Sequence, residues 1–150
     1  MTILEFISRI PTDQRSLFEF HTDFRNVQVV TPPFILMRFA SIPDRMTEGS
    51  RMTVEIRQIF HWMPWDVRVE EFVPYSLMVD VQSGRGPFRS WRHEHHCIER
   101  SDGVYLLDRI HYQLPFGVIG KLFDLVLFRT VQKFLFSYRH KKTREYFARS

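Results

Sequence analysis

From Phe34 to Leu114 apolar residues recur at about every second position in six successive runs: Phe34 to Phe39, Arg51 to Trp62, Trp65 to Val73, Leu77 to Gln82, Arg89 to Arg100 and Val104 to Leu114. A period of two sends side chains alternately to the two faces of a pleated strand, so this stretch predicts six strands. The turns expected at Met63-Pro64, Pro74-Tyr75 and Asp102-Gly103 are too short for the crossover that a parallel pair needs, which makes the sheet an antiparallel meander. Thr2 to Ile10 alternates in the same way and adds a seventh strand at the front.

Helical segments frame the strands. Pro11 stops the first strand, and Thr12 offers an N-cap to a short helix holding Leu17, Phe18 and Phe20. A second short helix begins near Thr22 or Asp23, and Pro32-Pro33 ends the pair because neither proline can donate a backbone bond. Beyond Pro115-Phe116-Gly117, residues Val118 to about Phe147 contain no proline and only Gly120, and read as one long helix. The expected architecture is α+β: one domain over residues 1–150, with a seven-stranded, strongly curved antiparallel sheet, two short helices, and a long C-terminal helix over the concave face.

Several segments carry a family resemblance: Phe20-His-Thr-Asp-Phe-Arg-Asn26, Thr31-Pro-Pro-Phe34, Glu48-Gly49, Gly86-Pro-Phe-Arg-Ser-Trp-Arg-His93, Asp108-Arg-Ile-His-Tyr-Gln-Leu-Pro-Phe-Gly117 and Phe136-Ser-Tyr-Arg139. With the element order they resemble the START and Bet v 1 superfamily, also called SRPBCC or polyketide-cyclase-like, and within it a bacterial subgroup. The resemblance covers nearly the whole chain and implies the helix-grip fold with a pocket for hydrophobic ligands. Chemistry is implied for only some members, since the matching motifs are structural signatures.

The register of the last hairpin tells which residues would face that pocket. A two-residue turn at Asp102-Gly103 pairs Ser101 with Val104, His93 with Tyr112, His95 with Ile110 and Cys97 with Asp108. Trp91, His93, His95 and Cys97 then share a face with Leu106, Asp108, Ile110, Tyr112 and Leu114, while Arg92, Glu94, His96, Arg109 and His111 share the other. The second set is polar and charge-matched, so the first looks inward.

Histidines, an aspartate and a tyrosine on an apolar wall must find partners, because an unpaired buried polar group costs about 1 to 3 kcal/mol. Three uses stay open: a self-satisfied network that fixes strand register, polar points that orient a ligand, or acid–base groups of a cyclase or dehydratase. His93 and His95 would give a metal two ligands and Asp108 a third. No Cys or Glu cluster adds to them, so neither a metal nor another cofactor is expected. Cys97, the only cysteine, lies beside a carboxylate in this register, which opposes thiolate formation and argues against a nucleophile.

The hairpin expected at Met63-Pro64 pairs Arg57 with Glu70 on the outer face and turns Val54, Ile56, Gln58, Phe60, Val67, Val69, Glu71 and Val73 inward. Gln58 and Glu71 become further polar points in the cavity, unless a local bulge turns Glu71 outward. Asp80 and Gln82 take no face, because the parity of the preceding turn is ambiguous. On the long helix, Leu122 and Val126 would cover the cavity. Its apolar positions exceed one helical stripe, so the surplus must meet the short helices, a second copy in a homodimer, or a membrane surface.

The composition narrows the partners. Aromatic residues make up 15% of the chain, enough either to fill a thick core or to line a cavity. A net charge of +4, with much of the excess in the last dozen residues, gives no basic stripe interleaved with stacking aromatics, so no nucleic-acid partner is expected. No basic and apolar leader opens the chain, and no apolar run reaches the roughly 20 residues that span a bilayer. A cytoplasmic protein is expected. It would bind, carry or sense a lipid, aromatic or polyketide-like molecule held by Trp91, His93, His95, Asp108, Tyr112, Gln58, Phe60, Glu71, Leu122 and Val126. That reading requires the terminal helix to stand off the sheet.

Overall fold

The computed structural model describes residues 1–149. Strand β1 (Thr2–Ile10) is followed by α1 (Gln14–Thr22) and a 3-10 helix (Phe24–Gln28). Six strands come next: β2 (Met37–Ser41), β3 (Arg51–Arg57), β4 (Trp62–Val73), β5 (Leu77–Gln82), β6 (Ser90–Arg100) and β7 (Gly103–Gln113). The terminal helix comprises α2 (Gly117–Phe123), a π-helical segment (Asp124–Phe128) and α3 (Arg129–Ala148). The strands form one antiparallel sheet in the order β1-β7-β6-β5-β4-β3-β2, a meander with β1 added beside the last strand. The α+β architecture expected from the element order, and the helix grip that the resemblance implies, are the ones observed.

The details differ where side chains outvote turn propensity. Asp13, not Thr12, caps α1, its carboxylate accepting from the Ser16 backbone N–H at 2.8 Å. In the β6–β7 hairpin Arg100 pairs with Gly103, so Ser101-Asp102 forms the turn. Gly103 takes φ +144°, and a Cβ there would stand 2.4 Å from Arg9 Nε. The pairing is offset from the expected one by two residues: His93 faces Ile110, His95 faces Asp108, and Cys97 faces Leu106. Because the offset is even, every side chain keeps its face.

The β3–β4 turn lies at Gln58–His61 instead of Met63-Pro64, with Arg57 opposite Trp62. Pro64 sits inside β4, opposite Glu55. It is tolerated because β5 ends at Gln82, opposite Val67, and leaves that stretch of β4 without a neighbour on one side.

Two apolar groups fill the concave side. Ile10, Leu17, Phe18, Met52, Val69, Met78, Cys97 and Leu106 pack at one end, beneath α1. Phe88, Trp91, Ile110, Tyr112 and Phe136 pack at the other, beneath the terminal helix. Between them runs a belt of buried polar side chains.

Candidate functional site

The alternation of β5, β6 and β7 delivers the belt. His93 and His95 point inward from β6 with Asp108 from β7, and Asp80 from β5 stands opposite His93. The helices close over them with His21 from α1 and Arg139, His140 and Thr143 from α3. All but Arg139 are buried.

Their polar atoms turn toward one another. Asp108 Oδ1 lies 2.9 Å from His93 Nε2, and Asp108 Oδ2 lies 3.0 Å from His140 Nε2. Asp80 Oδ2 lies 2.6 Å from His95 Nε2, and Asp80 Oδ1 accepts from Trp91 Nε1 at 3.2 Å. Arg139 Nη2 reaches His21 Nδ1 at 2.8 Å and His95 Nδ1 at 3.3 Å, and Arg139 Nε is 3.3 Å from Asp108 Oδ2. A guanidinium carries donors only, so Nδ1 of both histidines must accept and their protons sit on Nε2. The His95 proton then points at Asp80 and the His21 proton at Thr143 Oγ1, 3.3 Å away.

Electrostatics fix the protonation states. Burial, reinforced by the Arg139 charge, holds the His21 imidazole well below its ordinary value of 6.5. Burial and the neighbouring His95 lower His93 as well. For Asp108 burial alone would raise the carboxyl, yet Arg139, His93 and His140 outweigh it and hold it well below 3.8. Asp80 follows the same pattern, burial opposing and the His95 bond prevailing. The thiol of Cys97 is pushed up to about 12, by burial first and Asp108 second.

Asp80, His93 and His95 each offer one donor atom, all within 4.8 Å of one another, so the third member of a metal triad is Asp80 and not Asp108. The donor chemistry fits a hydrogen-bond network better. The Asp80 and His95 donor atoms are bonded to each other, and the Arg139 guanidinium stands against the far edge of His95, where it disfavours a second cation.

Of the ten residues expected to hold a ligand, five are buried on the concave face: His93, His95 and Asp108 in the polar belt, and Trp91 and Tyr112 in the apolar group beneath the terminal helix. Tyr112 turns away from the histidines and donates to Asp124 of the π-helical segment, which also accepts from Thr2 Oγ1 at 2.7 Å and Arg129 Nη2 at 3.0 Å.

The other five lie elsewhere. Gln58 and Phe60 fall in the β3–β4 turn and are exposed, because that turn comes four residues earlier than the Met63-Pro64 reading placed it. Glu71 is exposed on the outer face beside Val79: an irregularity between Val69 and Glu71 inserts Glu70 and reverses the side that Glu71 would otherwise take. Leu122 and Val126 are 62% and 72% exposed, on the side of the terminal helix away from the sheet.

Sequence reasoning missed Asp80, His21, Arg139 and His140. The helical residues did leave a signal, for Gln132, Phe136, His140 and Thr143 recur at helical spacing and are the buried residues of α3.

The interior beneath the helix is closed. Phe136 stacks on Phe6 with ring centroids 5.1 Å apart and meets the edge of His93 at 5.1 Å, while Phe128 lies 5.6 Å from Tyr112. The expected gap between helix and sheet is therefore filled by side chains. A hollow of about 630 Å³ lies instead outside α1, between that helix, the 3-10 helix, the β2–β3 loop and the β4–β5 turn. Phe18, Phe24, Met46, Phe72 and Tyr75 form its walls, with Asp23, Arg25, Asp44 and Arg45 beside them.

No protein-family model matches the sequence, and no curated protein matches it. Solved structures do match. The chain is similar to protein CV1439 from Chromobacterium violaceum, with a TM-score of 0.74, 10% identity and 98% of both chains covered. It is similar to the Bet v 1-type allergen Ara h 8.0201, with a TM-score of 0.61, 10% identity, and 95% of this chain and 97% of that one covered. Against the nucleoside-diphosphate sugar epimerase from Corynebacterium glutamicum the TM-score is 0.69 at 21% identity, over 95% of this chain and 28% of the epimerase. At such identities the likeness shows the fold, a Bet v 1-like helix grip.

Proposed function

We propose that the protein binds a small, mainly apolar molecule with an aromatic or polyketide-like body in the hollow beside α1. The observation that carries this reading is the hollow itself. Its 630 Å³ falls in the range of small-molecule sites, and its aromatic walls stand in edge contact, Phe18 being 5.3 Å from Phe72 and 6.0 Å from Tyr75 between centroids. Arg45 has no ion pair among the described residues and supplies a cation for a carboxylate or phenolate end of the ligand. Such a protein carries, senses or solubilises its ligand.

The helix-grip fold, which generally encloses apolar ligands, supports the reading, although the hollow lies to one side of the expected place. The cyclase or dehydratase alternative gains no such support. Its acid–base groups are committed to the network, His93 to Asp108, His95 to Asp80 and Arg139, and Asp108 also to His140.

Titration with 1-anilinonaphthalene-8-sulfonate tests the proposal. Thr47→Trp, which fills the hollow from its loop, should weaken binding of the dye at least about tenfold. Ile59→Asp, at the opposite end of the sheet, should leave it unchanged. Dye binding that ignores Thr47→Trp and vanishes with Ile59→Asp would refute the hollow as the site.

A further inference from the structure

The end of the sheet opposite the hollow is built from the β3–β4 turn, the β5–β6 loop, the segment before β2 and the start of the terminal helix. Leu36 accepts from the Arg57 N–H beside the turn, and Arg89 donates to Gln113 at the end of β7. These connections are apolar and uncovered. Ile59 and Phe60 are 84% and 89% exposed, and Phe116 and Val118 are 81% and 80% exposed. Along the helix Val118, Ile119, Leu122, Leu125 and Val126 continue a solvent-facing stripe at helical spacing. The short helices leave it bare, since α1 packs on β6 and β7 and Phe20 packs on Tyr146 and Phe147 near the far end of α3.

Charge indicates what covers this end. Across residues 31–38, 57–65, 82–92 and 113–133 the sole acidic residue is Asp124, which is buried and bonded to Tyr112, Thr2 and Arg129. The same segments carry Arg57, Arg89, Lys121 and Lys133, all exposed and without an ion pair among the described residues. A second copy of the chain docked face to face would set these cations against themselves, with no exposed carboxylate of those segments to answer them. Apolar side chains flanked by cations instead complement a bilayer with anionic headgroups, the apolar tips entering the acyl boundary and the long cations reaching back to the phosphates.

We propose that this end of the protein docks reversibly on an anionic membrane surface through Ile59, Phe60, Phe116 and the outer stripe of the terminal helix, with Arg57, Arg89, Lys121 and Lys133 pairing with lipid phosphates. Docking is peripheral, for among the described residues no helix is long and apolar enough to cross a membrane. It does not depend on the hollow at the other end.

Flotation of the full chain with vesicles tests it. The protein should float with phosphatidylcholine vesicles containing about 30 mol% phosphatidylglycerol, should stay behind with phosphatidylcholine alone, and should be released by salt. Ile59→Asp with Phe60→Asp, or Arg57→Glu with Lys121→Glu, should each weaken association at least about tenfold. These positions are exposed, so circular dichroism should show an unchanged fold. Thr47→Trp should float like the parent, which separates docking from binding in the hollow. Folded protein that ignores both vesicle types or binds both equally overturns the proposal. So does a dimer in sedimentation velocity that Leu122→Asp dissociates, which would assign the face to a second copy.

Discussion

His140 Nε2 on the terminal helix lies 3.0 Å from Asp108 Oδ2 on β7, and this contact joins the two layers of the fold at a fully buried carboxylate. The same carboxylate meets His93, and Arg139 stands 3.3 Å away. Asp108→Asn keeps the shape, removes the charge that Arg139 answers, and leaves a half-buried guanidinium without its carboxylate. A loss of about 3 to 5 kcal/mol is expected, since removing one partner of a buried pair strands the other. Urea unfolding would measure it, and a loss below about 1 kcal/mol would show that the network does not hold the helix down.

The buried histidines make stability depend on pH. His21 and His93 have folded values below 6.5, so the unfolded chain takes up protons at a pH where the folded protein does not. Their contribution is complete above 6.5 and is lost as the pH falls below it. Asp80 and Asp108, held under 3.8, add a second loss once the pH drops below that value. The urea midpoint should therefore fall between about pH 7.5 and pH 5.5, and His21→Asn with His93→Asn should flatten that slope. A midpoint constant over the interval would contradict the burial of neutral imidazoles.

Cys97, with its thiol pushed up to about 12 and its side chain buried, should resist disulfide reagents in the folded protein near pH 8. Labelling with a chromogenic disulfide should proceed only at the rate of unfolding and become fast in denaturant. Immediate stoichiometric reaction would mean that the core around Cys97 opens readily.

Gly120 is the one buried residue of α2, and a Cβ there would stand 2.0 Å from the backbone oxygen of Pro115. Gly120→Ala would force the first turn of the helix away from the Leu114-Pro115 corner, at a cost of about 1 to 3 kcal/mol. A lowered melting temperature is expected despite the better helix propensity of alanine. An unchanged or higher one would show that the corner gives way freely.

Why these features were legible to different degrees follows from the range of the forces that set them. The seven strands announce themselves because alternation is a local property of each strand. The turns proved harder, since Pro64 and Gly103 have turn chemistry yet sit within β4 and at the start of β7. Both misreadings moved the pairing by an even number of residues, so Trp91, His93, His95 and Asp108 kept their inward face. Asp80 stayed unassigned because its face depends on the preceding turn, where three residues separate Val73 from its partner Leu77, and on the irregularity at Glu70. His140 hid in a run of basic residues that reads as a solvated helix end. The closed space beneath the helix was beyond reach, since it depends on how Phe136 meets Phe6, far away in the chain, and on how Phe128 folds back onto Tyr112.

Thr2–Ile10 has β7 as its only neighbour in the sheet, with Thr2 opposite Tyr112 and Ile10 opposite Val104. During synthesis this segment must therefore remain unmatched until roughly a hundred further residues have been translated. Assembly is consequently late and concerted, and the nascent chain trails an alternating, adhesive ribbon for most of its production. Until its partner strand arrives, that ribbon is the part of the polypeptide most open to misassociation with other chains.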